Sequence, residues 1–390
     1  MLSTRVQALE ISGIRKMFDA APANVIHLGL GEPDFNPPAV VKEALFEAVR
    51  NGSNKYGPSA GLPELRDALA ERYRRYDGTT ARENVIVTSG GTEALLSAAL
   101  TLYDPGDEVL IPNPGFVLYG PHARLAEAIP VPYSLREERG FQPDIAELEE
   151  LVSPRTRAIV VNSPSNPTGG VFSGKTVDAI VSFAEAHGLT IISDEVYDEI
   201  IYAPGGHKSF WGRYDRVVVV NSFSKILAMT GWRLGYLVAS RTVAAEANKI
   251  HYHAVACPST PCQVAALRGL QEAQQDIAAM AKEFRARRDL VVKGLNEVPG
   301  MRCVRPEGAF YAFPSFTWDM SAMEAAQGLL KEGLLCTPGD AFGSLGAAHL
   351  RLAFANSRQN LRRALAILRD FGSQQVGTKV SRPTRVPRAA

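Results

Sequence analysis

The sequence predicts an α/β protein in which a mostly parallel sheet carries helices on both faces and is followed by a smaller α+β domain. Two patterns predict this fold. Between residues 83 and 240, short runs rich in Val and Ile alternate with amphipathic segments, as in strands joined by crossover helices. Beyond residue 265, helices with charged faces give way to short strands. The length of 390 residues also favours two packed units over one.

Six apolar runs in the first region predict strands, at residues 84–88, 108–111, 158–162, 190–193, 216–221 and 234–238. The clearest helix is predicted over 176–187, where apolar residues recur at helical spacing between a possible Ser173 cap and Gly188. Further on we expect a helix over 279–295 and strands at 308–314, 333–337 and 350–354. A last helix carries Leu361, Leu365 and Leu368 on one stripe.

Composition and charge favour a small-molecule partner. Forty-two Lys and Arg against 41 Asp and Glu give a formal net charge of +1, so no overall field recruits nucleic acid or an anionic membrane. No apolar run approaches the roughly 18 residues of a membrane span, and charges interrupt the first twenty residues. The four cysteines form no C-x-x-C pair, which suits a reducing compartment. We therefore expect a soluble cytoplasmic protein, and we predict no metal site.

Polar residues cluster directly after the predicted strands, where ligands of open α/β sheets bind. After strand 84–88, Ser89-Gly90-Gly91-Thr92 opens a helix whose free amides could hold a phosphate. The alternative is that this Gly-Gly segment is only a tight turn that leads into the helix. After strand 158–162, two prolines flank Asn166 and fix a rigid turn that aims its amide. The alternative for Asn166 is a self-bonded Asx turn.

Two strand ends carry charged residues. Asp194 and Tyr197 follow strand 190–193, and a carboxylate buried there requires a cation or a strong donor. Lys225 follows the Val-Val-Val-Val strand, just after Ser222. Burial and a nearby cation such as Arg233 would lower the pKa of this lysine, as a nucleophilic amine requires. The alternative for Lys225 is a snorkelling side chain.

Together these residues describe one pocket with a phosphate cradle, an amine, a carboxylate and two hydrogen-bonding side chains. The cradle would consist of Gly90, Gly91, Thr92, Ser222 and Arg233. Pyridoxal phosphate requires this whole set, because it is an aldehyde with a phosphate, a phenolic oxygen and a ring nitrogen.

Seven motifs in order along the chain resemble the class I/II aminotransferases, which have fold type I of the pyridoxal-phosphate enzymes. The first four are Leu-Gly-Leu-Gly31-Glu-Pro-Asp-Phe, Lys-Tyr56-Gly-Pro-Ser-Ala-Gly-Leu-Pro-Glu-Leu-Arg, Ser-Pro-Ser-Asn166-Pro-Thr-Gly and Asp194-Glu-Val-Tyr197. The other three are Ser-Phe-Ser-Lys225 with Gly-Trp-Arg233-Leu-Gly, Pro-Gly-Asp-Ala-Phe-Gly, and His-Leu-Arg351-Leu-Ala-Phe-Ala. The resemblance extends from about Leu28 to the last helix.

The resemblance implies a role for each matching residue toward the cofactor. Lys225 would hold pyridoxal phosphate as a Schiff base and shuttle the α-proton of the substrate, and Asp194 would keep the pyridine nitrogen protonated. Asn166 and Tyr197 would bond the phenolic oxygen, and Phe116 would stack on the ring. The residues implied around the phosphate are Gly91, Thr92, Ser222, Ser224 and Arg233.

The resemblance also implies a substrate site and an assembly. Arg351 would grip the substrate α-carboxylate in a bidentate contact, and Gly31 would let the backbone approach it, with Asn166 nearby. Tyr56 would reach the phosphate of the other subunit, so a homodimer with shared sites is expected. The implied reaction transfers an amino group from an amino acid to a 2-oxo acid in two half-reactions. Aspartate, aromatic and neutral aliphatic donors all fit.

The same resemblance suggests domain boundaries. Residues 1–45 would form an N-terminal arm and part of the small domain, 46–290 the large cofactor-binding domain, and 291–377 the C-terminal small domain, which is expected to close over the substrate. Residues 378–390 are basic with little apolar content and are predicted to be disordered.

Other functions fit parts of the sequence. A carbon-sulfur lyase of the same fold would share every catalytic position named above. Residues 169–176, Gly-Gly-Val-Phe-Ser-Gly-Lys-Thr, satisfy the P-loop pattern of an ATPase, but residues 163–168 separate them from the preceding strand and turn the chain away. A cofactor-binding regulator would require a DNA-binding domain, and the chain before Leu28 is too short to form one.

Overall fold

The computed structural model describes residues 2–7, 9, 22 and 24–380, and for residues 4 and 378–380 it describes the backbone only. Residues 381–390 of the tail predicted to be disordered, and most of residues 8–23 in the predicted N-terminal arm, lie outside the described residues. The strands are β1 Ile26–His27, β2 Val85–Thr88, β3 Glu108–Asn113, β4 Ile129–Ser134, β5 Thr156–Asn162, β6 Thr190–Asp194, β7 Val217–Ser222, β8 Gly235–Val238, β9 Met301–Arg302, β10 Tyr311–Ala312, β11 Ser315–Phe316, β12 Leu334–Leu335, β13 Thr337–Pro338 and β14 Leu350–Ala353.

Helices alternate with these strands through most of the chain. They are α1 Thr4–Gln7, α2 Ala39–Arg50, α3 Pro63–Asp77, α4 Gly91–Leu102, α5 Tyr119–Leu125, α6 Ile145–Leu151, α7 Gly174–His187, α8 Phe223–Ile226, α9 Arg241–Val255, α10 Thr260–Glu272, α11 Gln274–Leu295, α12 Ala322–Lys331 and α13 Arg358–Val380. No helix in the described part of the chain is long and apolar enough to cross a bilayer.

Seven strands form one sheet in the order β2-β8-β7-β6-β5-β3-β4, which confirms the predicted mostly parallel sheet. Strand β8 runs antiparallel to both of its neighbours, β2 and β7, and the other pairs are parallel. Strand β4 was not predicted, because its sequence, Ile-Pro-Val-Pro-Tyr-Ser, contains two prolines. Proline is tolerated there because β4 lies at the sheet edge.

Alternate residues of the central strands pack on opposite faces of the sheet. In β7, Val217 and Val219 belong to one apolar cluster, and Val218 and Val220 belong to another. All four are at most 1% exposed. Every side chain of a strand that is buried on both faces lies in an apolar environment, so such a strand has a continuous apolar sequence, here Val-Val-Val-Val.

Helix α7 has the ends that the sequence predicts, although it begins two residues earlier than expected. The Ser173 side chain accepts a hydrogen bond from the amide of Thr176, and Gly188 ends the helix with φ +65°. Lys175 of the P-loop pattern lies exposed in the first turn of this helix. The pattern is therefore an ordinary capped helix start.

A second unit of short strands follows the large sheet. Strand β1 pairs in parallel with β12, so the segment after residue 24 packs with the C-terminal part of the chain. Strand β14 lies between β10 and β13. Leu361, Leu365 and Leu368 of α13 are buried in the same core, as their spacing predicts. The domain boundaries at residues 45, 290 and 377 stay predictions.

Candidate active site

The carboxyl ends of the sheet strands surround one cavity of about 240 Å³. Asn162 of β5 is in register with Asp194 of β6, and Ser222 of β7 is in register with Gly235 of β8. The residues that line the cavity are Gly31, Gly91, Thr92, Leu95, Phe116, Asn162, Asn166, Asp194, Val196, Tyr197, Ser222, Ser224, Lys225, Arg233, Tyr311 and Arg351. The cavity thus brings together residues that are more than 300 positions apart in sequence, such as Gly31 and Arg351.

Lys225 is presented by the short helix α8, which starts where the buried strand β7 ends. The Ser222 side chain caps this helix by accepting from the amide of Ser224 at 3.1 Å, while Phe223 and Ile226 anchor it in the core. Burial lowers the pKa of Lys225 to about 8, and the nearby guanidinium groups of Arg351 and Arg233 act in the same direction. About one tenth of this amine is therefore unprotonated at pH 7.

Asp194 ends strand β6 and is only 3% exposed. The Tyr119 hydroxyl donates to its Oδ2 at 2.7 Å, and the Val196 amide donates to its Oδ1 at 3.4 Å. Burial raises the pKa of Asp194 to about 6, while the bond from Tyr119 opposes that rise. A carboxylate buried at this position was predicted to require a cation or a strong donor, and Tyr119 is such a donor.

The hydroxyl groups of Tyr197 and Tyr311 form a hydrogen bond of 2.8 Å in the cavity wall. Their rings meet edge-on with centroids 5.6 Å apart. Burial raises the pKa of Tyr197 well above its usual value of 10, so its hydroxyl keeps its proton. Tyr197 is therefore a hydrogen-bond donor over the whole physiological pH range.

Arg351 lies on β14 with its guanidinium group in the cavity. Its Nη1 donates to Asn166 Oδ1 at 3.0 Å, and its Nη2 donates to Thr337 Oγ1 at 3.2 Å and to the Gly29 carbonyl. The guanidinium carbon lies 4.8 Å from the ring centroids of both Tyr311 and Phe342. Arg351 is 7% exposed, and its Nε is buried without a partner among the described residues.

A glycine-rich cradle lies at the start of helix α4. Gly90 has φ +85°, and a Cβ atom there would lie 2.5 Å from Arg233 Nη2. A Cβ atom on Gly235 would lie 2.5 Å from the Gly91 amide nitrogen. The Ser222 hydroxyl donates to the Ser224 hydroxyl at 2.8 Å, and both residues line the same cavity. Free amides at a helix start, two hydroxyls and a guanidinium group form a site suited to a phosphate.

Most of the residues that the sequence predicted for the site line this cavity. They are Gly31, Gly91, Thr92, Phe116, Asn166, Asp194, Tyr197, Ser222, Ser224, Lys225, Arg233 and Arg351. Gly90 adjoins it through its contact with Arg233. Tyr56 does not line the cavity of its own chain; it is 91% exposed and borders a separate groove with Lys55 and Cys257.

Sequence reasoning missed several residues of the cavity and its wall. Tyr311, Asn162, Leu95 and Val196 line the cavity, and Tyr119 lies behind Asp194. Asn162 was identifiable, because it is the last residue of a predicted strand. Tyr311 and Tyr119 gave no signal, because an aromatic residue in an apolar run usually indicates core packing.

Comparisons with known proteins agree with this geometry. The sequence profile of the family described as "Aminotransferase class I and II" matches residues 23–368. The aspartate aminotransferase of Pyrococcus horikoshii is 40% identical over 372 residues, which are 93% of this chain and 95% of that protein. Aromatic-amino-acid aminotransferase 2 of Thermococcus litoralis is 38% identical over 93% of this chain and 96% of its own length.

The fold also matches solved structures. The structure of a single mutant of Thermus thermophilus aspartate aminotransferase superimposes with a TM-score of 0.89 and 37% identity, covering 95% of this chain and 99% of that one. Neither the carbon-sulfur lyase nor the ATPase alternative is favoured by these relatives. The chain therefore belongs to the class I and II aminotransferases, a family of pyridoxal-phosphate enzymes, and is itself an aminotransferase.

Proposed function

We propose that this cavity binds pyridoxal phosphate and uses it to transfer amino groups between an L-amino acid and a 2-oxo acid by a ping-pong mechanism. The observation that carries the proposal is the position of Lys225, whose amine has a lowered pKa and shares one cavity with the buried Asp194. An amine and a carboxylate in one cavity match the two reactive ends of the cofactor, its aldehyde and its ring nitrogen.

The residues present fit this cofactor. A Cβ atom on Gly90 would clash with the Arg233 guanidinium group, so the glycine lets that cation lie against the start of helix α4, where the phosphate would bind. The hydroxyls of Thr92, Ser222 and Ser224 add neutral donors for a phosphate. We propose that Phe116, which is partly exposed to the cavity, stacks on the ring.

When bound, pyridoxal phosphate supplies an aldehyde that condenses with amines and a ring that accepts the electrons released at the substrate α-carbon. The role proposed for Lys225 is to hold the cofactor and then to carry the α-proton on its Nζ atom. A pKa of about 8 suits both tasks, since the amine alternates between free base and acid near neutral pH. Asp194 holds a proton on the ring nitrogen, and Asn166 and Tyr197 donate to the phenolic oxygen.

The substrate site proposed here centres on Arg351. Its guanidinium group is planar and is held by Asn166 and Thr337, so it presents a fixed fork to an α-carboxylate. Its unpartnered Nε is a further donor with no acceptor among the described residues. Gly31 lets the backbone approach the same carboxylate, because a side chain there would meet the Tyr311 hydroxyl.

The names of the relatives suggest the substrate class. They cover aspartate and aromatic amino acids, and we propose that donors of this chain come from the aspartate, aromatic and neutral class. We also propose a homodimer in which Tyr56 of each subunit reaches the phosphate of the other. The exposure of Tyr56, unusual for so large an aromatic residue, supports that role. A cytoplasmic location, suggested by the cysteine pattern, is part of the same proposal.

A spectroscopic half-reaction experiment tests the proposal. Protein loaded with pyridoxal phosphate should absorb visible light, and addition of a single amino acid without acceptor should bleach that band and release the matching 2-oxo acid. Borohydride reduction should attach the cofactor to Lys225, as peptide mass spectrometry can show. The Lys225→Ala variant should show neither the bleaching with release of the 2-oxo acid nor the borohydride attachment. Failure of the wild-type protein to take up the cofactor would refute the proposal.

A further inference from the structure

Tyr119 contacts two of the residues assigned to the cofactor. Its hydroxyl donates to Asp194 Oδ2 at 2.7 Å, and its ring meets the ring of Phe116 edge-on with centroids 5.6 Å apart. Asp194 and Phe116 are the residues proposed to bind the nitrogen and the face of the same ring. Tyr119 does not line the cavity, so any influence it has on the reaction must pass through these neighbours.

The position of Tyr119 is fixed on all sides. It is 4% exposed and begins helix α5, where its amide donates to the carbonyl of Phe116 at 3.2 Å. Burial and the adjacent Asp194 carboxylate raise the pKa of Tyr119 well above 10. Its hydroxyl therefore keeps its proton and acts toward Asp194 as a donor.

The two oxygens of Asp194 are occupied unequally. Oδ2 receives the short bond from Tyr119, whereas Oδ1 has only the 3.4 Å contact from the Val196 amide among the bonds found in the described residues. A carboxylate oxygen with such a long contact retains capacity for a strong donor. Oδ1 is thus the oxygen available to a protonated ring nitrogen.

We propose that Tyr119 is a positioning residue that acts through Asp194, holding Oδ2 so that the carboxylate stays ionised and Oδ1 stays available to the cofactor. This inference rests on the proposed function, because it assumes that pyridoxal phosphate occupies the cavity. A buried carboxylate without a donor prefers its neutral form, and a neutral acid does not hold a proton on a ring nitrogen.

Other titratable groups surround this pair and bear on any pH effect. Glu195 opposes ionisation of Asp194, and Lys225 favours it. Tyr133 and Tyr197 act on Tyr119. Tyr133 supplies a matched control, since it is buried and its hydroxyl donates to the backbone carbonyl of Val160 at 2.9 Å rather than to Asp194.

The test compares Tyr119→Phe with Tyr133→Phe in the full-length protein. Each apoenzyme is titrated with pyridoxal phosphate across pH 5.5 to 8.5, and folding is checked by circular dichroism. A hydrogen bond to a charged group is worth about one pK unit, so Tyr119→Phe should bind the cofactor almost tenfold more weakly than the wild type at pH 5.5, and only about twofold more weakly at pH 7. Its loss of affinity on acidification should begin about one pH unit higher than in the wild type. We expect kcat to fall while KM for the amino donor stays unchanged.

A double-mutant cycle gives a second measure. In an Asp194→Asn background at pH 5.5, Tyr119→Phe should weaken cofactor binding less than about twofold, because the group through which it acts is neutral. Wild-type behaviour of Tyr119→Phe, an equal loss in Tyr133→Phe, or a full tenfold loss in the Asp194→Asn background would each overturn the inference. Failure of the wild type to bind the cofactor would instead refute the proposed function.

Discussion

The Nζ atom of Lys225 donates a hydrogen bond to the backbone carbonyl of Gly31 at 2.6 Å. This bond joins helix α8, which follows strand β7 of the large sheet, to the segment after β1. The two bonded residues are 194 positions apart in the chain. The proposed catalytic amine is therefore already in contact with the backbone that would approach the substrate carboxylate. A substitution at either residue should therefore change the position of the other.

Gly31→Ala tests this relationship. The added Cβ atom would clash with the Tyr311 hydroxyl, and Tyr311 cannot move away because it is 1% exposed. We expect kcat/KM to fall about tenfold, mainly through a higher KM for the amino donor. Gly174→Ala is the control, since nothing lies within 4 Å of its added atom. Steady-state kinetics should show a lower kcat/KM for Gly31→Ala and an unchanged kcat/KM for Gly174→Ala. An equal loss of kcat/KM in both variants would contradict this prediction.

The amine of Lys225 should react with aldehydes at an unusually low pH. Because burial lowers the pKa of Lys225 to about 8, half of its amine is unprotonated at about pH 8. An ordinary lysine is half unprotonated only near pH 10.4. Brief exposure of the apoenzyme to an aldehyde at several pH values, followed by borohydride and mass spectrometry, gives the profile. The exposed Lys175 is the internal reference. A half-maximal rate above pH 10 at Lys225 would contradict the prediction.

Arg351→Lys should impair substrate binding more than cofactor binding. An ammonium group cannot reproduce the fork held by Asn166 and Thr337, and two lost charge-assisted bonds of about 1.5 kcal/mol each correspond to roughly a 100-fold loss in kcat/KM. Arg369→Lys, at an exposed pair with Glu297, should have no effect on kinetics. Retention of wild-type kcat/KM by Arg351→Lys would remove Arg351 from the substrate site.

Hybrid dimers test the shared site. In a mixture of Tyr56→Ala and Lys225→Ala subunits, each hybrid has one site that receives Lys225 and Tyr56 from different chains and is intact. With random exchange, activity should rise to about one quarter of the wild-type value. The measurement is activity of the refolded mixture against each parent alone. Activity no higher than the average of the two parents would show that Tyr56 serves its own chain.

The sequence predicted the sheet and most of the cavity because the site residues stand at the ends of apolar strands, where composition changes abruptly. Lys225 after four valines and Asp194 after Ile-Ile-Ser are conspicuous for this reason. Strand β4 escaped prediction because Pro130 and Pro132 are unfavourable in a strand unless it lies at an edge, and edge position is a property of the assembled sheet.

The residues that escaped prediction act through contacts between distant segments. Tyr119 and Tyr311 are apolar by pattern, and their hydroxyl partners Asp194 and Tyr197 lie 75 and 114 residues away in sequence. The antiparallel direction of β8 was also not predicted, since an apolar run carries no sign of its direction. These features depend on tertiary packing and not on local spacing.

The reversed direction of β8 has a consequence for evolution and engineering of this chain. Because β7 ends and β8 begins at the same end of the sheet, one continuous connection carries both the reactive lysine and Arg233 of the anion cradle. Exchange of single residues on its outer surface should be tolerated, whereas insertion or deletion of even one residue would displace both groups together.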